Sequence, residues 1–374
     1  MPRKSKDLRK KILITATVVT AAMPIAIVLS PVNNGLPVNT HIQNNAQKSR
    51  PQTSSDNASE YLVLQNQQEL INDIYSGQGE QVFAKIAQEA NEIKMASITD
   101  RNITGTDANT IPVRFYDPGV SGKPAPLLIY LDGRAGEEIN MDFSDPGLRI
   151  LANSTGFMVA TMDYRFAPFS DALDDVVSTV HWIHENSGQL GVDPERIALA
   201  GESRSANLAL STVLVLRDSP NTEDENLVRV LYLLNGYYSP DLLEQRSMEM
   251  FGHGIDLISA EDIEPIFAQI YRNESDYRNP LAFPILHKTM IGLPPAYIVA
   301  SGIDPVKDES IELAARLQEE GEEHCFVKWP GVGHSTGSFI FTPMIPEIQT
   351  YLDSMTAFLR EALTDNQAEQ GESR

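Results

Sequence analysis

The chain has 374 residues, of which 42% are hydrophobic, a length that accommodates one large domain with insertions or two ordinary domains. Its formal net charge of −22 is unevenly distributed. Residues 1–60 carry 8 basic against 3 acidic residues, whereas residues 61–374 carry 21 basic against 48 acidic ones. A body this acidic argues against a surface that binds nucleic acid.

The first thirty residues have the pattern of a segment that enters a membrane. Six Lys and Arg residues between Arg3 and Lys11 precede the uncharged run Ile12–Leu29, which is near the lower length limit of a membrane-spanning helix. A cleaved signal peptide and an uncleaved anchor both remain open, and the poor cleavage site before Pro31 favours the anchor. In either case the basic end stays in the cytoplasm, so the rest of the chain is expected outside it, membrane-anchored or, after cleavage, secreted or periplasmic.

The flanks of the body and its cysteine and histidine content set further limits. Residues 31–59 are rich in Asn, Gln, Ser and Pro and are expected to form a flexible linker, and residues 365–374 a disordered tail. The single cysteine, Cys325, cannot form an intrachain disulfide and is interpreted as a small buried apolar side chain. His181 and His184 lie three apart on a predicted helix with no third ligand nearby, so we expect no metal site and no cofactor.

Between Pro126 and Leu363, apolar runs alternate with amphipathic runs. This alternation predicts a mostly parallel sheet with helices on both faces, which is an α/β fold. The predicted strands are 126–131, 157–162, 197–200, 228–234, 296–300 and 325–329. The predicted helices are 171–187, 205–216, 308–320 and 345–363.

Two stretches do not follow this alternation. Residues 60–95 carry apolar side chains at helical spacing, and residues 240–290 form a long, largely apolar insertion between two predicted strands. A connection of that length inside a compact domain needs structure of its own. We therefore predict that both stretches are parts of a helical lid over the carboxyl edge of the sheet.

Ser203 is the first candidate for catalysis. It lies in the sequence Gly201-Glu-Ser-Arg-Ser205, between a predicted strand and a predicted helix. A serine in a tight strand-to-helix turn is lifted into the open, with the positive end of the helix behind it, as an acyl-transfer nucleophile requires.

Two more residues complete a candidate triad. Asp304 follows the predicted strand 296–300, and His334 follows the predicted strand 325–329. The order Ser, Asp, His, each at the carboxyl end of its own strand, predicts a triad in which His334 is the base and Asp304 orients it. Asp308 is the alternative acid. A helix N-cap role remains open for Asp304, and the role of a first-turn acidic residue for Asp308.

These motifs together resemble the hormone-sensitive-lipase-like branch of the α/β-hydrolases, a family of serine esterases. The resemblance extends from about Ile98 to Leu363. Its motifs are Asp163-Tyr-Arg-Phe-Ala-Pro168, Leu190-Gly-Val-Asp-Pro-Glu-Arg-Ile197, Gly201-Glu-Ser-Arg-Ser-Ala-Asn207, Leu293-Pro-Pro-Ala296, Asp304-Pro-Val-Lys-Asp308 and Gly333-His334. It implies an α/β-hydrolase domain over residues 60–364, the same triad, and a structural role for the Asp163-Tyr-Arg165 segment.

The chain departs from the family at the loop after the first central strand. Where the family usually has His-Gly-Gly-Gly, this chain has Asp132-Gly-Arg-Ala135. The resemblance assigns the oxyanion hole to the backbone N–H groups of Gly133, Arg134 and Arg204, and loss of one such donor costs about 3–4 kcal/mol. The two arginine side chains either face the pocket and favour a carboxylate-bearing substrate, or pair away from it with Glu202, Asp132 or Glu137, which is the favoured interpretation.

The sequence thus predicts a membrane-tethered serine carboxylesterase that acts on short- to medium-chain esters through an acyl-enzyme at Ser203. Tentative substrate contacts are Asp132, Met250 and Phe251. The expected partner is a small ester, and neither a nucleic acid nor an oligomeric state is indicated. Because the oxyanion loop is altered, a catalytically weakened binding or scaffolding module is the alternative. An interfacial lipase and a deacetylase also remain open.

Overall fold

The computed structural model describes residues 55–119, 122, 124–133, 141–253 and 258–371. The predicted leader, most of the predicted linker and Arg134 of the predicted oxyanion loop lie outside these ranges. Among the helices in the described ranges, none combines the length and the apolar character that crossing a bilayer requires. The predicted boundaries of leader and linker therefore stay predictions.

An eight-stranded sheet forms the centre of the described part of the chain. Its strands are β1 (Ser97–Thr104), β2 (Thr110–Asp117), β3 (Ala125–Leu131), β4 (Met158–Met162), β5 (Val192–Glu202), β6 (Val230–Leu234), β7 (Ala296–Ile303) and β8 (His324–Gly333). Their order is β1-β2-β4-β3-β5-β6-β7-β8. The pairs β1–β2 and β2–β4 are antiparallel and all the others are parallel. All six predicted strands are present, and the predicted α/β class is confirmed.

Helices cover both faces of this sheet. They are α1 (Ser55–Asp73), α2 (Gly79–Glu92), α3 (Met141–Thr155), α4 (Phe169–Glu185), α5 (Arg204–Arg217), α6 (Arg246–Phe251), α7 (Ala260–Ile270), α8 (Lys307–Glu320) and α9 (Ile348–Gly371). Successive side chains of a strand point to opposite faces. Accordingly, Leu127 and Ile129 of β3 belong to the core that α4, α5 and α8 cover, whereas Leu128 and Tyr130 belong to the core that α3 and α9 cover.

The sequence analysis missed the N-terminal hairpin β1–β2 and helix α3. Strand β1 gives no apolar run because it carries mostly polar residues, and Ile103 is its one buried residue. It is an edge strand, antiparallel to β2 along its whole length. At the other end of the chain, α9 continues past Asp365, where the sequence predicts a tail to begin.

The turn between β5 and α5 lifts Ser203 out of the sheet. Ser203 has φ 57° and ψ −122°, a conformation that costs a non-glycine residue on the order of 1–3 kcal/mol. Its backbone N–H donates to the carbonyl of Leu234 at 2.8 Å. At Gly201 a Cβ atom would lie 2.1 Å from the carbonyl oxygen of Ser205, so only glycine allows the helix to approach the strand this closely.

Candidate active site

Three distant residues meet at the carboxyl edge of the sheet. The His334 Nε2 atom lies 2.9 Å from Ser203 Oγ, and His334 Nδ1 lies 3.0 Å from each carboxylate oxygen of Asp304. His334 is 4% exposed and Asp304 is completely buried. The structure therefore brings together the three side chains that the sequence singled out, and it does so at hydrogen-bond distances.

The register of β7 and β8 explains why the acid and the imidazole meet. Ile303 pairs with Gly333 at the ends of the two strands. Asp304 and His334 are the residues that directly follow. Asn235, which follows β6, donates to the carbonyl of His334 at 3.2 Å and accepts from the N–H of Ser301 at 2.9 Å. These bonds hold the ends of three neighbouring strands at a fixed spacing.

The alternative acid lies elsewhere. Asp308 accepts a hydrogen bond from the backbone N–H of Ser247 at 2.8 Å, and it anchors α6 to the start of α8. Asp304, in contrast, accepts from the N–H of Val306 at 2.8 Å in addition to contacting His334. Asp304 is therefore the carboxylate that faces the imidazole.

The loop after β3 is fixed to the start of α5. The carbonyl of Asp132 accepts hydrogen bonds from Tyr164 Oη at 3.0 Å and from Ser205 Oγ at 2.5 Å. The two hydroxyl groups lie 2.7 Å apart. Gly133 follows, at a point where a Cβ atom would lie 3.0 Å from the carbonyl of Glu202. The structural role predicted for the Tyr164 segment agrees with these contacts.

Glu202 is a buried carboxyl group beside the nucleophile. Its Oε2 atom accepts from Tyr130 Oη at 2.7 Å and from Ser338 Oγ at 3.1 Å. Burial raises the pKa of Glu202 to about 7, and the nearby charge of Asp132 acts in the same direction. The hydrogen bond from Tyr130 and the positive charge that His334 can carry lower the pKa.

Among the residues that the structure describes, no acidic side chain forms an ion pair with Arg204, so the favoured pairing with Glu202 is not present; Arg134 and Glu137 lie outside the described residues. The Arg204 Nη2 atom donates to the carbonyl of Phe166, and its Cζ atom lies 4.8 Å from the centroid of the Phe166 ring. The Oε2 atom of Glu202 accepts from Tyr130 and Ser338 instead. This geometry follows from the start of α5, which turns the Arg204 side chain towards the segment after β4.

A cavity of about 280 Å³ opens onto Ser203. Most of its lining side chains are apolar, and both predicted lid stretches contribute to it. The lining residues are Phe83, Asp132, Gly133, Phe143, Glu202, Ser203, Arg204, Tyr237, Leu242, Ile258, Ile263, Ile266, Phe267, Val306, His334, Ser335, Ser338, Ile340 and Phe341. A pocket of this size and character suits a small, mainly apolar ligand.

Two of the tentative substrate contacts are not in the cavity wall. Met250 is 50% exposed, and the ring of Phe251 lies 4.2 Å from Lys307 Nζ. Helix α6 turns Ser247 inward instead, where its hydroxyl donates to the carbonyl of Pro305 at 2.8 Å. Asp132, the third tentative contact, does line the cavity.

Comparison with known proteins gives the family. A sequence model described as the alpha/beta hydrolase fold matches residues 133–337, which is more than half of the chain. The chain belongs to the α/β-hydrolase family. The hormone-sensitive-lipase-like resemblance that the motifs carry is thereby confirmed.

The relatives of this α/β-hydrolase are esterases by name. The chain is 32% identical over 230 residues to the carboxylic ester hydrolase LipN of Mycobacterium tuberculosis, which covers 60% of each protein. It is 29% identical over 251 residues to an arylesterase of Saccharolobus solfataricus, covering 64% of this chain and 79% of that one. The crystallised Pyrobaculum calidifontis esterase superimposes with a TM-score of 0.66 at 26% identity, covering 75% of this chain and 91% of that one.

Gln67 contacts the active-site loop and was missed by the sequence analysis. It lies on α1, outside the family-matched range, and is 3% exposed. Its Oε1 atom accepts from the N–H of Gly333 at 2.7 Å and from Thr336 Oγ1 at 2.6 Å. The loop that carries His334 is therefore fixed from the N-terminal helix. No local pattern could have shown this contact, because the partners are 266 and 269 residues apart.

We expect Gln67→Leu to lower kcat while KM stays nearly constant. The substitution removes the acceptor of the Thr336 hydroxyl and leaves the Gly333 N–H with its longer bond to Thr336 Oγ1, at 3.2 Å. This loss costs about 1–3 kcal/mol and loosens the loop that holds His334. Steady-state kinetics on a small ester, together with thermal unfolding, measure both effects. Gln67→Glu keeps the acceptor and should restore kcat. Asn66→Leu is the matched control, because Asn66 bonds to Glu347 at 3.2 Å and not to the loop. A uniform rise in KM would contradict this positioning role.

Stability should depend on pH through Glu202. The folded state raises its pKa from 4.5 to about 7, so the unfolded state ionises first. The free energy of unfolding then falls between about pH 4.5 and pH 7, by roughly 3 kcal/mol. Glu202→Gln removes this contribution, so urea unfolding at pH 5 and pH 8 should show a smaller difference for the variant.

Glu309 is also a buried carboxyl group with a pKa raised to about 7. Because wild type and Glu202→Gln both contain Glu309, its contribution to the pH dependence cancels when the two are compared. Ser338→Ala is the control, because it removes a hydrogen bond to Glu202 but no titrating group. Equal pH dependence in wild type and Glu202→Gln would show that Glu202 is not the group that titrates.

Proposed function

We propose that this α/β-hydrolase cleaves carboxylic esters of small substrates through an acyl-enzyme on Ser203. One observation carries the proposal. The Ser203 hydroxyl, the His334 imidazole and the Asp304 carboxylate form a continuous relay, with distances of 2.9 Å and 3.0 Å. The esterase names of the relatives support the same reaction class. The chain spans 60% of the length of the mycobacterial relative, so the geometry of this site is the main support for the proposed activity.

The relay defines the direction of proton transfer. With the proton of the neutral imidazole on Nδ1, that atom donates to Asp304 and Nε2 accepts from the Ser203 hydroxyl. As Oγ attacks the ester carbonyl carbon, Nε2 takes the hydroxyl proton, and the imidazolium then protonates the departing alcohol. A water molecule repeats the sequence on the acyl-enzyme, releases the acid and restores Ser203.

The oxyanion of each tetrahedral intermediate needs donors. The backbone N–H of Arg204, at the first position of α5, is one of them, and it does not depend on the side chain at that position. The N–H of Gly133 is the second. The contacts of Tyr164 and Ser205 to the carbonyl of Asp132 hold the loop in place beside Ser203. A preorganised pair of donors supplies several kcal/mol of transition-state stabilisation, since one donor is worth about 3–4 kcal/mol.

The cavity sets the substrate range that we propose. Its volume of about 280 Å³ and its apolar side chains suit short- to medium-chain acyl groups. Acetyl esters fall inside this range, and proteins named acetyl esterase, such as that of Salmonella schwarzengrund, are 28% identical to this chain. We propose ester hydrolysis and not amide hydrolysis, because all the relatives reported above are named for esters.

Substitutions in the relay should separate the three roles. Ser203→Ala is expected to lower kcat on 4-nitrophenyl acetate by about 10⁴-fold or more, and Asp304→Asn by about 10⁴-fold because the imidazole adopts the wrong tautomer. Asp308→Asn is the matched control, since Asp308 contacts Ser247 and not His334. It should retain activity within a few-fold. Activity of Asp304→Asn close to that of wild type would contradict the assignment.

Labelling with a fluorophosphonate distinguishes an enzyme from a binding module. Wild type should be labelled at Ser203 and Ser203→Ala should not. A folded wild-type protein that neither reacts with the probe nor cleaves any ester would support the scaffolding alternative. An interfacial lipase, in contrast, would cleave dissolved esters slowly and accelerate strongly when vesicles are added.

We also propose that the segment Ile12–Leu29 tethers the enzyme to a membrane with the catalytic domain outside the cytoplasm. The proposal rests on the basic flank and the uncharged run in the sequence. Full-length protein should sediment with membranes and resist alkaline washing, whereas a variant that lacks residues 1–30 should remain soluble. A shortened, soluble protein outside the cytoplasm would instead indicate a cleaved signal peptide. Intact full-length protein in the soluble cytoplasm would overturn the proposal.

A further inference from the structure

Glu202 is a buried carboxyl group whose two oxygen atoms have different surroundings. The residue is 7% exposed, and its Oε2 atom accepts from Tyr130 and Ser338. Its Oε1 atom accepts no hydrogen bond from the residues that the structure describes. Protein atoms enclose Arg204 Nε and other side-chain atoms that lack a partner, but they do not enclose Oε1 of Glu202. Since Glu202 lines the active-site cavity, Oε1 is the atom that it presents to a bound molecule.

This carboxyl group has no counter-ion among the described Lys and Arg side chains. Asp175 shows the usual arrangement, because it is 1% exposed and pairs with Arg165 at 2.7 Å. The donors to Glu202 are two neutral hydroxyl groups instead, those of Tyr130 and Ser338. Buried charges in proteins are normally paired. The ionised form of Glu202 therefore lacks its counterpart.

The protonation of Glu202 responds to a charge placed beside it. Burial raises the pKa of Glu202 to about 7, and the negative charge of Asp132 acts in the same direction. An opposite charge next to a carboxyl group favours the ionised form. A cation at Oε1 therefore lowers the pKa, and Glu202 releases its proton as the cation binds.

Arg204 and His334 are the basic side chains among the described lining residues, and neither binds Glu202. Arg204 donates from Nη2 to the carbonyl of Phe166, and its Nε and Nη1 atoms are enclosed by protein. His334 is the base of the relay and stays neutral until the reaction begins. With Asp132 and an ionised Glu202, the described lining residues carry two negative charges against one positive charge. The polar part of the cavity wall thus favours a cation.

Aromatic rings in the same wall suit an organic cation. Phe83, Phe143 and Phe341 all line the cavity. The ring centroid of Phe83 lies 5.6 Å from that of Phe143 and 6.2 Å from that of Phe341. The faces of such rings attract ammonium groups, including quaternary ones that have no N–H. The net charge of −22 also attracts cations from a distance, so the long-range field and the cavity wall agree in sign.

We propose that the substrates of this enzyme are esters that carry an ammonium group, and that Glu202 Oε1 binds this group in the active-site cavity. The inference rests on the proposed ester hydrolysis at Ser203 and adds the substrate class to it. The ammonium group has two sources that share this chemistry. It belongs either to the alcohol part, as in the acetyl ester of a quaternary amino alcohol, or to the acyl part, as in the ester of an amino acid. The bond that breaks is the same ester bond in both.

Matched pairs of esters test the proposal and separate the two sources. Acetylcholine is compared with 3,3-dimethylbutyl acetate for the alcohol side, and the ethyl ester of β-alanine with ethyl butanoate for the acyl side. In each pair a carbon atom replaces the charged nitrogen with almost the same shape. Wild type should prefer the cation in one pair, by kcat/KM divided by the rate at which hydroxide hydrolyses the same ester. Glu202→Gln should reduce this preference by about 10- to 100-fold, the value of a hydrogen bond between charged groups.

The matched control is Glu274→Gln. It removes the same charge from the chain, but the Glu274 side chain is 85% exposed and pairs with Arg278. It should leave the preference unchanged. Because the readout is a ratio of two substrates on one protein, a general loss of activity in a variant does not affect it. Equal preference in wild type and Glu202→Gln for both pairs overturns the proposal, and so does a wild type that prefers the cation in neither pair.

A second measurement uses wild type alone, in case Glu202→Gln does not fold. Choline should protect Ser203 against fluorophosphonate labelling at concentrations about ten-fold lower than the neutral alcohol 3,3-dimethylbutanol does. Equal or weaker protection by choline overturns the Glu202 proposal while ester hydrolysis stands, provided that the neutral esters are cleaved. If wild type cleaves none of the four esters and Ser203 is not labelled, the proposed hydrolysis itself fails, and the substrate class fails with it.

Discussion

The active site depends on a backbone constraint, the left-handed conformation of Ser203 between β5 and α5. The φ angle of 57° is unfavourable for serine by about 1–3 kcal/mol, and it persists because the surroundings leave no alternative. The Ser203 N–H is bonded to Leu234, and Gly201 allows the first turn of α5 to contact β5. A relaxed turn would lower the side chain into the sheet and remove it from His334. The strain is thus the cost of exposing the hydroxyl at the positive end of a helix.

The second requirement is that three strand ends keep one spacing. Asp304 and His334 follow the neighbouring strands β7 and β8, whereas Ser203 follows β5, with β6 between them. Asn235 occupies the end of that intervening strand, and its amide bonds to both Ser301 and His334. The distances between Ser203, His334 and Asp304 therefore follow from the register of the sheet and from the Asn235 amide, which bridges the strand ends. Gln67 of α1 bonds to the same loop, and this helix lies outside the family-matched range.

The sequence predicted the parts of this arrangement that have a local signature. Buried parallel strands give apolar runs, and a catalytic residue directly after such a run is placed at the sheet edge by the fold itself. The contacts that were missed join distant segments through polar atoms, as Gln67 does with Gly333 and as Ser205 does with Asp132. The Ser205 hydroxyl, for example, braces the loop after β3 through the carbonyl of Asp132. Arg204 was expected to pair with an acidic side chain. Its partner could not be predicted, because long-range geometry and not the spacing of residues in the sequence determines it.

The acidic surface and the apolar cavity act on a substrate at two different distances from Ser203. The chain carries a net charge of −22, so an anionic substrate approaches against long-range repulsion, which salt screens within about 10 Å at 0.1 M ionic strength. Inside the cavity most of the lining side chains are apolar, so burying an anionic group there costs hydration energy. Repulsion lowers the association rate, and a contact inside the pocket lowers the dissociation rate. The net charge and the apolar cavity wall therefore act in the same direction, and both favour an uncharged ester over an anionic one.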